Sequence, residues 1–394
     1  MRMREVRLRR GCERRVALGH RWVFSNEIQD FDRTLPAGED VAVCDARGGL
    51  LGSGTFSPSS LIAVRLHARG RALPLDAGLV LERVRQAWQQ RQAWFGEAAS
   101  ACRAVYAEAD GLPGLVADRF GEYLAVQCLT AGIERRAGWV VDALDAVHRP
   151  RGIVLRNDSP ARLAEGLDRD VAVARGEVPP RITFTLHGLQ FAADLRQGQK
   201  TGFFFDQRDN YALLRRVARG AEVLDAYCYS GAWGVHALAY GARSVAFVDA
   251  SAEALELAAA NTAAGGWSAA GAFEQADVLE FLKTCAAAGR GFDVAVLDPP
   301  AFAKSRQTAA AALKGYLNLN KWGMRCVRPG GYLVSCSCSH HISPEAFVEM
   351  LARAAREAGR ETRVLGVGRQ SPDHPWLPAM PETAYLKALL LQVL

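Results

Sequence analysis

The chain has no stretch approaching the ~18 unbroken apolar residues that a membrane-spanning helix needs. Its first fifteen residues, MRMREVRLRRGCERR, lack the apolar core of a secretory signal. These absences predict a cytoplasmic protein with no membrane partner. Cysteines number nine, an odd count scattered along the chain, so a disulfide framework is not expected. The only close pair, Cys336 and Cys338, has no second pair to match it. Structural zinc sites want two spaced pairs, and no metal is expected here. There is no lysine before Lys200, although Lys and Arg together reach 48 against 42 Asp and Glu. That net charge of +6 is too small to demand a nucleic-acid partner by itself.

What is present points to a globular protein. Of 394 residues, 49% are apolar and 23% charged, with 37 Gly and 16 Pro, which excludes disordered, collagenous and low-complexity chains. The length suggests two or three domains. The positive charge is concentrated in two places. Seven Arg and two Glu fall within the first fifteen residues. Residues 301–330 hold Lys304, Arg306, Lys314, Lys321, Arg325 and Arg328 and no acid. Such concentrations read as electrostatic footprints for a polyanion, set against the plainer reading of a solvated surface.

Three segments are expected. Residues 1–72 read as a small β module, with a hairpin rhythm in VAVCDARGGLLGSGTF (41–56) and a basic lead-in. Residues 73–180 read as a middle α+β domain with a helix over 79–95, strand-like runs within 106–129, a second helix near 137–147 and a strand at 151–158. GEVPPR (176–181) marks a linker. From 181 to 394 strands and helices alternate. EVLDAYCYSG (222–231), SVAFVDAS (244–251), FDVAVLDPPAF (292–302) and PGGYLVSCSCS (329–339) are strands, with helices at 232–241 and 252–266. Near-continuous apolar strands separated by helices predict an α/β fold whose parallel sheet is covered on both faces.

In such a sheet, ligands bind beyond the carboxyl ends of the strands. Asp225, Asp249, Asp277 and Asp298 all fall at such ends. The first turn has one well-placed glycine before its helix and no G-x-G-x-x-G, which argues against a dinucleotide pyrophosphate. Asp249 can accept from both ribose hydroxyls, and Asp277 from an adenine amino group. The plainer reading of each acid is a helix N-cap. Two prolines in Asp298-Pro299-Pro300 cannot continue a central strand. They fix a rigid turn that offers backbone carbonyls and Phe302 to a planar group.

The motifs DAYCYSG, VDAS, DPPAF and SCSCS, together with LRQGQKTGFFFDQRDN (195–210), GHRWVFSNEI (19–28) and SPDHPWLPAMPETAYLKALLLQ (371–392), resemble the bacterial large-subunit ribosomal RNA methyltransferase I family. The resemblance implies a class I methyltransferase with a Rossmann-like seven-stranded sheet, preceded by a PUA RNA-binding domain. It also implies S-adenosyl-L-methionine as cofactor, ribosomal RNA of the large subunit as partner, and a homodimer. Residue by residue, it implies that Lys200, Thr201, Gly202, Phe203 and Asp206 help close the cofactor pocket. Asp225, Tyr227, Ser230 and Gly231 would line the methionine part, Asp249 the ribose and Asp277 the adenine. Asp298, Pro299, Pro300 and Phe302 would hold the target base, with Lys304 in the adjoining basic run.

The family's reaction modifies cytosine at C5, a poor nucleophile. Such enzymes add a thiolate to C6, which makes C5 enamine-like. Cys338 matches the nucleophile position, and Cys336, two residues earlier on the same strand face, reads as packing. Many related enzymes carry a second cysteine after the Asp-Pro-Pro-like turn; here Ala301 and Phe302 stand there. Asp298 is the candidate base or partner of the cytosine amino group, and Cys228 reads as structural. His340, His341 and His374 are weighed as acid–base groups against structural ones. The phenylalanines at 203–205 read as core, with one open to stacking on adenine. Trp22 and Phe24 read as packing of the β module or as RNA contacts. Two alternatives stay open: methylation of an exocyclic amine of adenine or guanine, and a non-catalytic RNA-binding assembly factor.

Overall fold

The computed structural model describes residues 3–32, 34–302 and 306–394. The chain divides into two compact units. The first comprises residues 1–187, 193–205 and 372–383, and the second residues 188–192, 206–371 and 384–394. Strands over Ile182–Leu186 and Leu189–Ala193 lie where the chain passes from the first to the second.

The first unit contains two sheets. One has six strands, ordered Trp22–Phe24, Ile62–Arg69, Leu50–Phe56, Asp40–Cys44, Arg4–Leu8, Ile28–Phe31. The hairpin expected over 41–56 is the antiparallel pair of Asp40–Cys44 and Leu50–Phe56. The inward face is apolar, with Val6, Leu8, Val23, Val41, Val43, Val64 and Leu66 buried together. The other sheet has five strands between Ala101 and Gly176. Helices Ala77–Phe95 and Ala137–His148 pack with it around Val84, Leu115, Leu124 and Leu144. The first of these helices starts at Asp76, whose carboxylate accepts from the Leu79 N–H at 2.9 Å. Arg91, buried on the same helix, meets both oxygens of Asp110 at 2.8 and 2.7 Å. Burying an arginine is tolerated because a bidentate carboxylate satisfies it.

The second unit is built on a seven-stranded sheet. Its strands, numbered within this unit, are β1 (Glu222–Ala226), β2 (Ser244–Asp249), β3 (Gly271–Gln275), β4 (Phe292–Leu297), β5 (Val327–Ser337), β6 (Thr362–Gly368) and β7 (Lys387–Val393). The spatial order is β3-β2-β1-β4-β5-β7-β6. Strands β1 to β5 run parallel, and β7 is antiparallel to both β5 and β6. The helices are α1 (Ala232–Ala239), α2 (Ala252–Ala264), α3 (Val278–Ala287), α4 (Ala309–Cys326) and α5 (Pro344–Ala358). The central strands are apolar on both faces, as a sheet covered by helices requires. Val223, Leu224, Val294, Ala295, Val296, Leu333 and Val334 are essentially inaccessible. The order reverses between β1 and β4, and the crevice at such a reversal is where ligands bind in open α/β sheets.

Among the described residues no helix is long and apolar enough to cross a membrane.

Candidate active site

Asp225 is fully buried near the end of β1. One carboxylate oxygen accepts from the Gly234 N–H, in the first turn of α1, at 2.8 Å. The other, Oδ1, is buried without a protein donor. Burial pushes this carboxyl up to about 7 against the pull of the Gly234 N–H, and the charges of Asp298 and Asp249 push it the same way.

The chain then makes a turn in which Tyr227, Tyr229 and Gly231 have φ of 61°, 46° and 74°. Bulky residues in that region are strained, and such strain clusters at functional sites. At Gly231 a side chain would be crowded as well as strained. A Cβ there would stand 2.9 Å from the Ala258 Cβ and 3.1 Å from the Phe247 ring. The buried Ser230 is held through its carbonyl, which accepts from Asn261 Nδ2 at 2.8 Å. Asp249, ending β2, accepts from the N–H groups of Tyr229 and Ser251, each at 3.0 Å, and so ties the two strand-end turns together. Asp277 is exposed and caps α3 by accepting from the Glu280 N–H at 3.0 Å. The N-cap reading of this acid is the one its geometry displays.

This cradle fits a cationic nucleoside. It offers a buried acceptor at Asp225 Oδ1, acids at two further strand ends, and a backbone turn narrowed by glycine.

At the β4 end, Asp298 is gripped by side chains. Gln207 Nε2 lies 3.0 Å from both of its carboxylate oxygens, and Trp233 Nε1 donates to one of them at 3.0 Å. Gln207 is itself set by Asn210, whose Nδ2 donates to its Oε1 at 2.6 Å. Pro299 is buried and Pro300 exposed. Phe302 is half-buried against Tyr316 of α4, ring centroids 4.6 Å apart, so one of its faces is taken by protein. Lys304 lies outside the described residues.

Cys336 lies within β5 and is fully buried, and burial pushes its thiol well above the usual range. Cys338, one residue past β5, is half-buried. Of the five cysteines in this unit it alone is accessible; Cys228, Cys285, Cys326 and Cys336 are buried. Tyr316 reaches the same loop, its hydroxyl 3.1 Å from Ser339 Oγ.

The remaining predicted residues are distributed as follows. Asp206 is buried in the second unit and accepts from the Tyr385 hydroxyl at 2.6 Å. Lys200, Thr201, Gly202 and Phe203 belong to the first unit. Lys200, at φ 53°, holds its ammonium 4.7 Å from the centre of the Phe204 ring. Thr201 is fully buried and donates to Asp118. Gly202 has φ 114°, and a Cβ there would meet the Asp194 carbonyl at 3.0 Å. Phe203 is 1% exposed, its ring 5.1 Å from both Phe184 and Phe205. Phe203 and Phe205 are therefore core.

His340 and His341 are exposed, their ring centroids 4.0 Å apart and the rings tilted by 49°. His374 is buried beside Asp373 in the first unit. Trp22 donates through its indole N–H to Glu108 of the 73–180 segment at 2.7 Å. The basic run after residue 301 is partly neutralised. Arg328 binds Asp293 and Glu222, both at 2.8 Å, and Lys321 lies 3.8 Å from Glu357. Charge counting along the sequence misses acids that arrive from other strands and helices. It also misses Gln207 and Trp233, although Gln207 falls inside the QKTGFFFDQR segment and Trp233 two residues after Gly231.

Residues 170–392 match the family described as S-adenosylmethionine-dependent methyltransferase, and residues 6–69 match the PUA-like domain. A solved structure from Streptococcus mutans, described as a SAM-dependent methyltransferase, has the same fold, with a TM-score of 0.85 at 18% identity over 99% of this chain and 100% of that one. Sheet order, strand-end acids and family match together define the class, a methyltransferase that uses S-adenosylmethionine. Two curated relatives narrow it. Ribosomal RNA large subunit methyltransferase I of Tolumonas auensis is 36% identical over 99% of both chains, and that of Erwinia tasmaniensis is 34% identical over 98% of both. The chain belongs to the ribosomal RNA large subunit methyltransferase I family.

Proposed function

We propose that this enzyme methylates C5 of a cytosine in large-subunit ribosomal RNA through a covalent bond from Cys338 to C6. The observation that carries the reading is the placement, at the carboxyl ends of the neighbouring strands β5 and β4, of the unit's single accessible thiol and a carboxylate fixed by Gln207 and Trp233. The names of the relatives and the PUA-like match support the RNA substrate.

In this reading Asp225, Tyr227, Ser230 and Gly231 hold the methionine part of the cofactor, Asp249 the ribose and Asp277 the adenine. S-adenosylmethionine, when bound, supplies an electrophilic methyl group on its sulfonium. Cys338 loses its thiol proton and adds to C6, which leaves C5 with enamine character. Asp298, oriented by its two donors, accepts the C5 proton or fixes the cytosine amino group; removal of that proton breaks the C6–S bond and frees the thiolate. Pro299 and Pro300 hold the turn rigid beneath the base, and the exposed edge of Phe302 faces it. Residues 1–72 act as the RNA-binding domain, with phosphate contacts setting position and the target base flipped out of its stack. Residues 73–180 form the middle domain and 181–394 the methyltransferase. A homodimer would scatter light at twice the mass of one chain.

The test is Cys338→Ala with nucleoside mass analysis of the RNA product. Wild type yields 5-methylcytosine, and the variant binds cofactor but transfers nothing. A methyl group on an exocyclic amine, or undiminished turnover in the variant, overturns the reading.

A further inference from the structure

We infer that Lys387 is the positioning residue of the nucleophile, a fixed ammonium that pins the loop after Cys338 and supplies the countercharge for its thiolate. The inference rests on the reading of Cys338 as the nucleophile.

Lys387 opens β7 and stands opposite Ser337 in the antiparallel register with β5, one residue from Cys338. Its side chain is buried, 7% exposed. The ammonium donates to three carbonyls: Ser339 at 2.6 Å, Ile342 at 3.0 Å and Tyr385 at 2.9 Å. Two of these belong to the loop that leaves Cys338. Three N–H groups donating to three carbonyls leave the nitrogen no lone pair with which to take a proton. Lys387 is therefore a charge held in place, and the thiol proton goes to solvent while the electron pair stays on sulfur.

A buried ammonium is costly unless it is paired. Among the described residues no carboxylate lies within ion-pair distance of Lys387. Neutral carbonyls satisfy its hydrogen bonds and leave its charge uncompensated. Burial pulls the lysine down to about 8, and the group that opposes this is Cys338. The attraction is reciprocal, so the same ammonium favours the thiolate. Among the described residues, Tyr316 from α4 and Cys336 from β5 also face Cys338, the latter with Asp298 beside it. Each of these, when ionised, adds negative charge and opposes the thiolate. Only the lysine from β7 works in its favour among these groups.

The experiment follows alkylation of Cys338 by iodoacetamide against pH in the full chain, read by peptide mass, with no RNA or cofactor present. Wild type should react with a midpoint below the ~8.5 of an ordinary cysteine. Lys387→Met should raise that midpoint by roughly one unit or more, slowing the reaction about tenfold at neutral pH, and Lys387→Arg should restore most of the shift. Cys336 in the same digest reports packing, because a loosened sheet would expose it. Transfer by Lys387→Met should recover as pH rises. A wild-type midpoint at or above the ordinary value overturns the inference without any variant having to fold. So does an unshifted midpoint in Lys387→Met. Failure of the nucleophile reading is separate, since it shows as transfer that survives in Cys338→Ala.

Discussion

At the ends of β1 and β2 the acids Asp225 and Asp249 are held by backbone N–H groups, those of Gly234, Tyr229 and Ser251. At the end of β4 the acid Asp298 is held by side chains, Gln207 and Trp233. The β5 end adds a thiol beside a loop pinned by Lys387. The first region depends on backbone conformation, on glycine at 231 and on left-handed tyrosines at 227 and 229. The second depends on which side chains stand where. A backbone cradle suits a ligand common to a whole class of enzymes, and side-chain donors suit the reaction that one subgroup performs.

That contrast can be broken most sharply at the two neighbouring cysteines. Cys338→Ala should cost at least roughly a thousandfold in transfer, read under single-turnover conditions. Cys336→Ala should keep near-normal turnover and lose about 1 kcal/mol of stability in denaturant titration. Equal effects from the two would erase the distinction between an accessible thiol and a packed one.

At the cradle, Gly231→Ala should destabilise by about 1–3 kcal/mol and weaken cofactor binding, because the new Cβ meets Ala258 and Phe247 in a left-handed backbone. Asp225 sharpens the same region through pH. Its folded carboxyl is raised to about 7, above the unfolded value, so its proton is retained on folding. Its contribution to stability is intact below about 4 and declines as pH rises toward 7, at roughly 1.4 kcal/mol for each displaced unit. A cationic cofactor favours the ionised form, so affinity should rise through pH 5–7 and then level, and Asp225→Asn should flatten both trends in calorimetry. Smallest of all, Asp277→Ala should remove an exposed N-cap, cost about 1 kcal/mol of thermal stability and weaken cofactor binding through the lost adenine contact.

The parts of this architecture legible in the sequence were those with local signals. Strands 222–226, 244–249 and 292–297 are short apolar runs closed by turn residues, and the strand-end acids follow from them. Helix 77–95 shows through its apolar spacing, even though one of its inward positions is Arg91, whose burial depends on a distant aspartate. Strand β3, GAFEQ, and the edge strand β6, with Val364, Leu365 and Val367 exposed, lack a clean alternation and leave little trace. The role of Lys387 is invisible along the chain, because an antiparallel register brings it beside Cys338. The phenylalanines at 203 and 205 are equally compatible with core or stacking platform along the chain, because the neighbours that fix them as core, Phe120 and Phe184, are remote in sequence.

The most direct measurement uses RNA whose target cytosine carries fluorine at C5, incubated with the enzyme and S-adenosylmethionine. Fluorine cannot leave as a proton does, so elimination stalls after attack. The account predicts a stable protein–RNA species with the nucleotide mapped to the peptide containing Cys338. Absence of any such species, or attachment at Cys336, would contradict it.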